Sequence, residues 1–127
     1  MENYIAVPPE HNPPTLEEAK AAKLQQIKSI RNFIESSPLN NFDVDANSIT
    51  RLQIAQNILS GTAQTLDWTM ADNSVKTITA DDIAQVFADL AERSNNLHAK
   101  YRDLKERINS AESVEEVAAI EWGKTEE

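Results

Sequence analysis

The stretch that decides the fold is residues 80–109, ADDIAQVFADLAERSNNLHAKYRDLKERIN. Its apolar side recurs at alternating spacings of four and three, as in a heptad repeat, and this seam consists of Ile83, Phe87, Leu90, Ser94, Leu97, Tyr101, Leu104 and Ile108. A continuous helix of this length spans about 45 Å, more than the roughly 30 Å diameter of a small domain. The spacing therefore predicts a long helix that protrudes or packs along other helices. A kink at the weak helix formers of residues 94–96 is the alternative.

The seam has two interpretations. It can pack inside the chain against the other helices, as most amphipathic faces do. It can also build an oligomer or hold a partner helix, and Ser94 would then fix the register at a cost in stability. In the second case the contacts would come from Ser94, Leu97, Tyr101, Leu104 and Ile108.

Shorter helices are predicted before this stretch. Residues 15–18 form a capping box, and the helix that follows runs to Glu35 before Pro38 stops it. Residues 39–44 read as a short extended piece. Asp45 or Asn47 then caps a second helix, for which Gly61 provides a left-handed stop.

Residues 65–79 change to the period of a β-strand. Leu66, Trp68 and Met70 alternate with polar residues, residues 71–74 have turn chemistry, and the β-branched run that follows completes a β-hairpin. Because a lone hairpin is only marginally stable, we expect Trp68 to pin it to the helices.

A last helix begins at the capping box of residues 113–116 and is predicted to reach Gly123. The predicted fold is mainly α with a minor β part, four helices with one long central helix and a single β-hairpin. It forms one helical domain over residues 15–123, followed by a loose tail, 124–127.

Residues 1–14 form a proline-rich arm ahead of the helices. It is either a disordered leader or a strap that docks on a neighbouring subunit through Tyr4, Ile5 and Val7. Among the aromatic residues, Trp68 and Trp122 are the best candidates for partner contact, since tryptophan is enriched at interface hot spots. Trp68 is expected in the core, which leaves Trp122.

Composition excludes several classes of function. The 127 residues carry a net charge of −9, and the resulting average field would repel a nucleic acid or an anionic membrane. No cysteine is present, which excludes disulfides and thiol catalysis. The N-terminus does not read as a signal peptide, and no apolar run approaches the roughly 20 residues that span a bilayer.

No pattern of catalytic or ligand-binding residues stands out. Residues 43–47 open like a calcium-binding EF-hand loop, but Ser48 and Ile54 replace the glycine and the bidentate glutamate that such a loop needs. His11 and His98 have no second ligand at metal spacing. Adjacent acids all fall in first helical turns, where the dipole favours them: Glu17/Glu18, Asp81/Asp82 and Glu115/Glu116. We therefore expect no enzyme activity, no cofactor and no metal.

Several motifs occur in an order that resembles a known family. They are Lys20-Ala21-Ala22-Lys23 with Ile27, the run 42–46, Leu66-Asp67-Trp68 with Ala71-Asp72-Asn73, the run 75–82, and the run 108–117 with Ile120-Glu121-Trp122. This order resembles the helical domain of unknown function found in phage tail proteins, notably at the C-terminal end of tail fibre assembly proteins. The likeness covers about residues 15–123.

The resemblance implies a tail fibre chaperone or an accessory tail protein in the cytoplasm of the bacterial host. Its partner would be a phage tail fibre or another tail protein, with a homo-oligomer as a further possibility. Many relatives carry a β-rich domain ahead of this region, so either the fibre-gripping part is missing or the arm replaces it. Two alternatives stay open: a structural component that remains in the virion tail, and an acidic inhibitor of a host protein.

Overall fold

The helices and strands of this computed structural model fall within residues 13–123, the part of the chain that it describes. In order they are α1 (Leu16–Glu35), α2 (Ala46–Leu59), β1 (Leu66–Thr69), β2 (Val75–Ile78), α3 (Ala80–Ser110) and α4 (Val114–Ala119). The described chain is therefore mainly α with one antiparallel hairpin, which confirms the predicted fold class. The predicted contacts Tyr4 and Ile5, most of the arm, and the tail lie outside the described residues.

The long helix α3 is continuous over 31 residues, including the weak helix formers of residues 94–96. Its start is fixed by reciprocal hydrogen bonds. The Thr79 N–H donates to Asp82 Oδ2 over 2.9 Å, and the Asp82 N–H donates to Thr79 Oγ1 over 3.2 Å. These bonds satisfy donors that the first turn of a helix leaves without an intrahelical acceptor. The weak helix formers of residues 94–96 therefore do not interrupt the hydrogen-bonded helix.

The capping boxes of α1 and α4 also form. The Glu18 N–H donates to Thr15 Oγ1 over 3.1 Å, and Glu18 Oε1 accepts from the Thr15 N–H over 3.0 Å. At α4, Ser113 Oγ accepts from the Glu116 N–H over 3.1 Å. The return bond differs from the standard box, because Glu116 Oε1 accepts from the N–H of Glu112, one residue earlier.

Helix α4 is shorter than its sequence predicts. It ends at Ala119, and Ile120 is extended with φ −81° and ψ 122°. The Ile120 N–H still donates to the Val117 carbonyl over 3.1 Å, which closes the last turn. The extended exit accompanies burial of the Ile120 side chain, which is 7% exposed. Trp122 therefore follows the helix instead of lying in it, and Gly123 (φ +91°) lies four residues beyond its end.

Residues 39–44 were predicted to be extended, and this prediction is wrong at their first half. Leu39 and Phe42 exchange both backbone hydrogen bonds, at 3.0 and 2.8 Å, around Asn40 and Asn41. Both asparagines are left-handed, with φ of 54° and 67°. Two left-handed central residues are the geometry of a type I′ turn, which asparagine tolerates better than most residues.

The described chain divides into two compact units. The described part of the first unit is residues 13–30 and 100–123. Its core consists of Ile27, Leu104, Ile108 and Ile120, with Leu24, Tyr101 and Trp122 packed around them. The seam residues Leu104 and Ile108 are therefore part of a core that the chain builds for itself.

The second unit is Arg31–Ala99. Its core brings together side chains from the Asn40–Asn41 turn region, α2, the hairpin and the first half of α3: Phe42, Val44, Leu52, Ala55, Leu59, Met70, Ile78, Ile83 and Val86. Trp68 packs against this cluster, as expected of the residue that pins the hairpin.

Candidate interaction surface

The hairpin of the second unit is closed by a turn with one left-handed residue. The Met70 N–H donates to the Ser74 carbonyl over 2.7 Å, and the Asn73 N–H donates to the Met70 carbonyl over 2.9 Å. Asn73 has φ +70°, so a tight turn followed by a left-handed residue joins the strands. Asp72 Oδ1 accepts from the hydroxyl and the N–H of Ser74, and these bonds hold the pKa of Asp72 below its usual value.

The two faces of the hairpin differ. Leu66 pairs with Ile78, and both pack toward the core of the second unit. Asp67 pairs with Thr77 on the opposite face, where the Thr77 hydroxyl donates to Asp67 Oδ1 over 2.8 Å. Because successive side chains of a strand alternate between faces, β1 presents an apolar side to the core and a polar side to solvent.

The outer edge of β1 carries backbone groups that β2 does not use. In an antiparallel pair, residues that exchange hydrogen bonds alternate with residues that do not. Counting from the bonded Met70–Ser74 position, the bonded pairs are Trp68–Lys76 and Leu66–Ile78. The N–H and C=O groups of Asp67 and Thr69 therefore point away from β2. Within residues 13–123, β1 has no other strand as a neighbour, so this is a free edge.

A groove follows this free edge. It has a volume of about 420 Å³, and its walls are all four residues of β1 together with Arg51, Ile54, Ala55 and Ile58 of α2. No β2 residue contributes to it. Since residues from both faces of β1 line the cavity, it lies along the strand edge. We refer to it as the β1 groove.

The α2 wall of the β1 groove exposes large apolar side chains. Ile54 is 54% exposed and Ile58 is 59% exposed, while Leu52, Ala55 and Leu59 of the same helix are at most 3% exposed. Helix α2 is thus apolar on its core side and again at the groove. Exposed apolar side chains grouped in this way mark interaction sites more often than scattered ones do.

The sequence prediction missed this surface. Ile58 has no role in the sequence-based prediction of contacts, and Ile54 enters the sequence analysis only as the residue that replaces the glutamate of a calcium-binding loop. A signal was present: Ile54 and Ile58 are four residues apart and therefore share a face, and that face is not the one of Leu52 and Ala55.

The predicted contacts on α3 after Ser94, together with Trp122, fall into two groups. Leu97, Leu104 and Ile108 are 8%, 2% and 0% exposed, so the chain itself covers them. Their burial favours the intramolecular interpretation of the seam, and contact with a partner through them stays a prediction. Tyr101 and Trp122 are half-buried around the core of the first unit. The Lys100 ammonium lies 5.0 Å from the centre of the Trp122 ring, within the range of a cation–π interaction.

Ser94 was predicted to mark the register of an oligomer, but its hydroxyl is engaged within the second unit. It donates to Glu35 Oε2 over 2.8 Å, and His98 Nε2 lies 3.3 Å from the same oxygen. The Ser94 hydrogen bond is the main reason that the pKa of Glu35 lies below its usual value. Arg93 completes the arrangement by donating to the carbonyl oxygens of Glu35 and Ser37, both over 2.9 Å. These bonds satisfy acceptors at the C-terminal end of α1.

In the described part of the chain, no three His, Asp or Glu side chains are grouped as metal ligands would be. Of the helices described here, none combines the length and the apolar character needed to cross a membrane.

The family model described as "Domain of unknown function (DUF4376)" matches residues 18–121 of the chain. Neither the curated proteins nor the solved structures include a match.

Proposed function

The chain belongs to the DUF4376 family of domains of unknown function, and we propose that it acts in phage tail fibre assembly by binding another protein through the β1 groove. Two independent lines support the proposal. The order of sequence motifs resembles that of tail fibre assembly proteins, which suggests the class of partner. The geometry of the second unit suggests the binding surface.

The observation that carries the proposal is the pair Ile54 and Ile58, more than half exposed beside a free strand edge. A partner that covers them removes apolar surface from water, which stabilises a complex by about 25 cal/mol per Å² before the costs of association. The neighbouring edge of β1 supplies directional hydrogen bonds at the same place. Exposed apolar side chains and unpaired backbone groups together suit a partner chain that has not yet completed its own folding or assembly.

The proposed mechanism is transient shielding. A tail fibre subunit buries its apolar segments only when it trimerises, and until then those segments are prone to aggregate. A chaperone that covers them with the β1 groove keeps the subunit soluble and is displaced as the trimer forms. The net charge of −9 supports this role, because a highly charged carrier remains soluble while it holds an apolar segment.

The test is co-expression of this chain with a candidate tail fibre gene from the same genome. We expect the fibre to be recovered with the chain in a pull-down and to form more soluble trimer than it does alone. The variant Ile54→Glu/Ile58→Glu should abolish both effects. Phe33→Glu is the matched control, because Phe33 is 73% exposed on α1 and lies outside the β1 groove.

Two results would contradict the proposal. If the fibre trimerises equally well without this chain, the chaperone role is wrong. If the fibre needs the chain but the double groove variant works as well as the unaltered chain, the role stands and the surface is wrong.

A further inference from the structure

We propose that the free edge of β1 pairs antiparallel with the same edge of a second copy of this chain, so that each copy covers the β1 groove of the other. The resulting dimer has a continuous four-stranded sheet in the order β2-β1-β1-β2. This inference goes beyond the proposed function, because the pairing needs no fibre and its test contains none.

The backbone of β1 specifies the register. Asp67 and Thr69 both direct their N–H and C=O groups to the free edge, and they are two residues apart. With Trp68 opposite Trp68 of the second copy, each Asp67 lies opposite a Thr69. Both of these positions are then hydrogen-bonded pairs, and together they form four backbone hydrogen bonds across the two-fold axis.

The side chains favour the same register. Placing Asp67 opposite Asp67 would bring two carboxylates together, which is destabilising on one face of a sheet. Opposite Thr69, the carboxylate of Asp67 meets a hydroxyl that can donate to it. Among the described residues Thr77 donates to Oδ1 of Asp67 and no donor is found at Oδ2, so Oδ2 can accept this bond.

The β1 groove supplies the apolar part of the interface and is also complementary in charge to itself. Its walls carry one base, Arg51, and one acid, Asp67. A two-fold axis repeats both charges on the facing surface, so each copy offers an acid to the base of the other. Helix α2 flanks the free edge of β1 and exposes Ile54 and Ile58 there. The strand of the second copy is added at this edge and therefore lies beside these two side chains.

The dimer should be weak at low salt. A four-residue strand forms few bonds, and each copy brings a net charge of −9. Salt screens the repulsion between the two copies, with a Debye length near 30 Å at about 0.01 M and near 8 Å at about 0.15 M. We therefore expect association to tighten, by about tenfold or more, as salt is raised over this range. An interface held by Arg51 and Asp67 alone would weaken instead.

The experiment is analytical ultracentrifugation of the full chain over a range of concentrations, with the proline variant Thr69→Pro. Proline has no N–H, and the N–H of Thr69 faces the free edge, so the substitution removes an intermolecular donor without touching the bonds to β2. Val75→Pro is the matched control. Val75 lies directly opposite Thr69, and its N–H faces the other edge of the hairpin.

The unaltered chain and Val75→Pro should dimerise equally, while Thr69→Pro should be monomeric, with all three showing the same helical circular dichroism. If Thr69→Pro loses its fold, Ile54→Glu/Ile58→Glu replaces it, since that variant leaves the hairpin unchanged, with Phe33→Glu as its control.

The register is tested separately. Because the chain has no cysteine, Asp67→Cys and Thr69→Cys copies can be mixed, and a short bismaleimide should link the mixture more than either copy alone.

A chain that stays monomeric at every concentration and salt overturns the proposal and leaves the edge for a strand of another protein. A dimer that Val75→Pro or Phe33→Glu disrupts as strongly as the groove variants also overturns it, because the interface would then lie elsewhere. Neither result depends on whether the chain assists fibre assembly.

Discussion

The hydroxyl of Ser94 donates a 2.8 Å hydrogen bond to Glu35, 59 residues earlier in the chain. This contact joins the C-terminal end of α1 to the middle of α3 within the second unit. The polar position of the seam therefore has a hydrogen-bond acceptor within the same chain.

Replacing Ser94 with alanine should destabilise the fold modestly. The hydrogen bond to a charged, partly exposed acceptor is lost, and we expect a decrease of about 1 kcal/mol in the free energy of unfolding in urea. Asn95→Ala is the control on the same helix, because Asn95 is exposed and alanine favours the helix there. A loss for Asn95→Ala equal to that for Ser94→Ala would contradict a specific role for the bond.

The same carboxylate makes stability depend on acid pH. The hydrogen bond from Ser94, followed by contact with His98 and the charge of Arg31, holds the pKa of Glu35 below its ordinary value of 4.5, although burial opposes them. A depressed carboxyl pKa contributes stability that is complete above about pH 4.5 and is lost as the pH falls through the lower, folded-state pKa. Urea unfolding between pH 7 and pH 3 should show a smaller acid-induced loss in Glu35→Gln than in the unaltered chain. Equal losses would assign the acid sensitivity to other groups.

The left-handed Asn41 should tolerate glycine better than alanine. Alanine at φ +67° carries a steric cost of about 1–2 kcal/mol, which glycine does not. Both substitutions remove the side-chain oxygen that accepts from the Asp72 N–H over 3.2 Å. The difference in melting temperature between Asn41→Gly and Asn41→Ala thus reports the cost of the left-handed backbone conformation. Equal melting temperatures would show that the turn can rearrange.

Two isoleucines should respond to alanine in opposite ways. Ile108 is fully buried, so Ile108→Ala should cost about 2–5 kcal/mol in unfolding free energy through the cavity that it leaves. Ile58 is 59% exposed, and Ile58→Ala should change stability by no more than about 0.5 kcal/mol. Chemical denaturation of both variants checks this contrast. A large loss at Ile58 would mean that the second unit needs this residue for folding and not for contact.

Local signals predict the elements well in this chain because its helix starts are strongly encoded. The N-terminal caps of α1 and α3 each involve residues three apart in sequence, Thr15 with Glu18 and Thr79 with Asp82. Both caps form with reciprocal hydrogen bonds. The alternation around Trp68 likewise identifies the hairpin, since a strand's period of two is visible in four residues.

Features that depend on tertiary contact were not predicted. The end of α4 is set by burial of Ile120 among side chains from α1 and α3, which no local pattern reveals. Asn40 and Asn41 have turn chemistry, but Leu39 and Phe42 on either side gave the segment an extended appearance. The β1 groove is harder still to predict from the sequence. Leu52 and Leu59 face the core, and this orientation of α2 is what leaves Ile54 and Ile58 at the surface.

Asn41 also constrains how the hairpin tip can be altered. Its carbonyl accepts from the Ala71 N–H over 2.7 Å, and its side chain accepts from the next residue of the loop. One asparagine therefore clamps the tip at two successive amides, and added residues there would break both bonds. A fluorescent label or an epitope tag belongs instead at Ala63, which is exposed in the connection between α2 and β1.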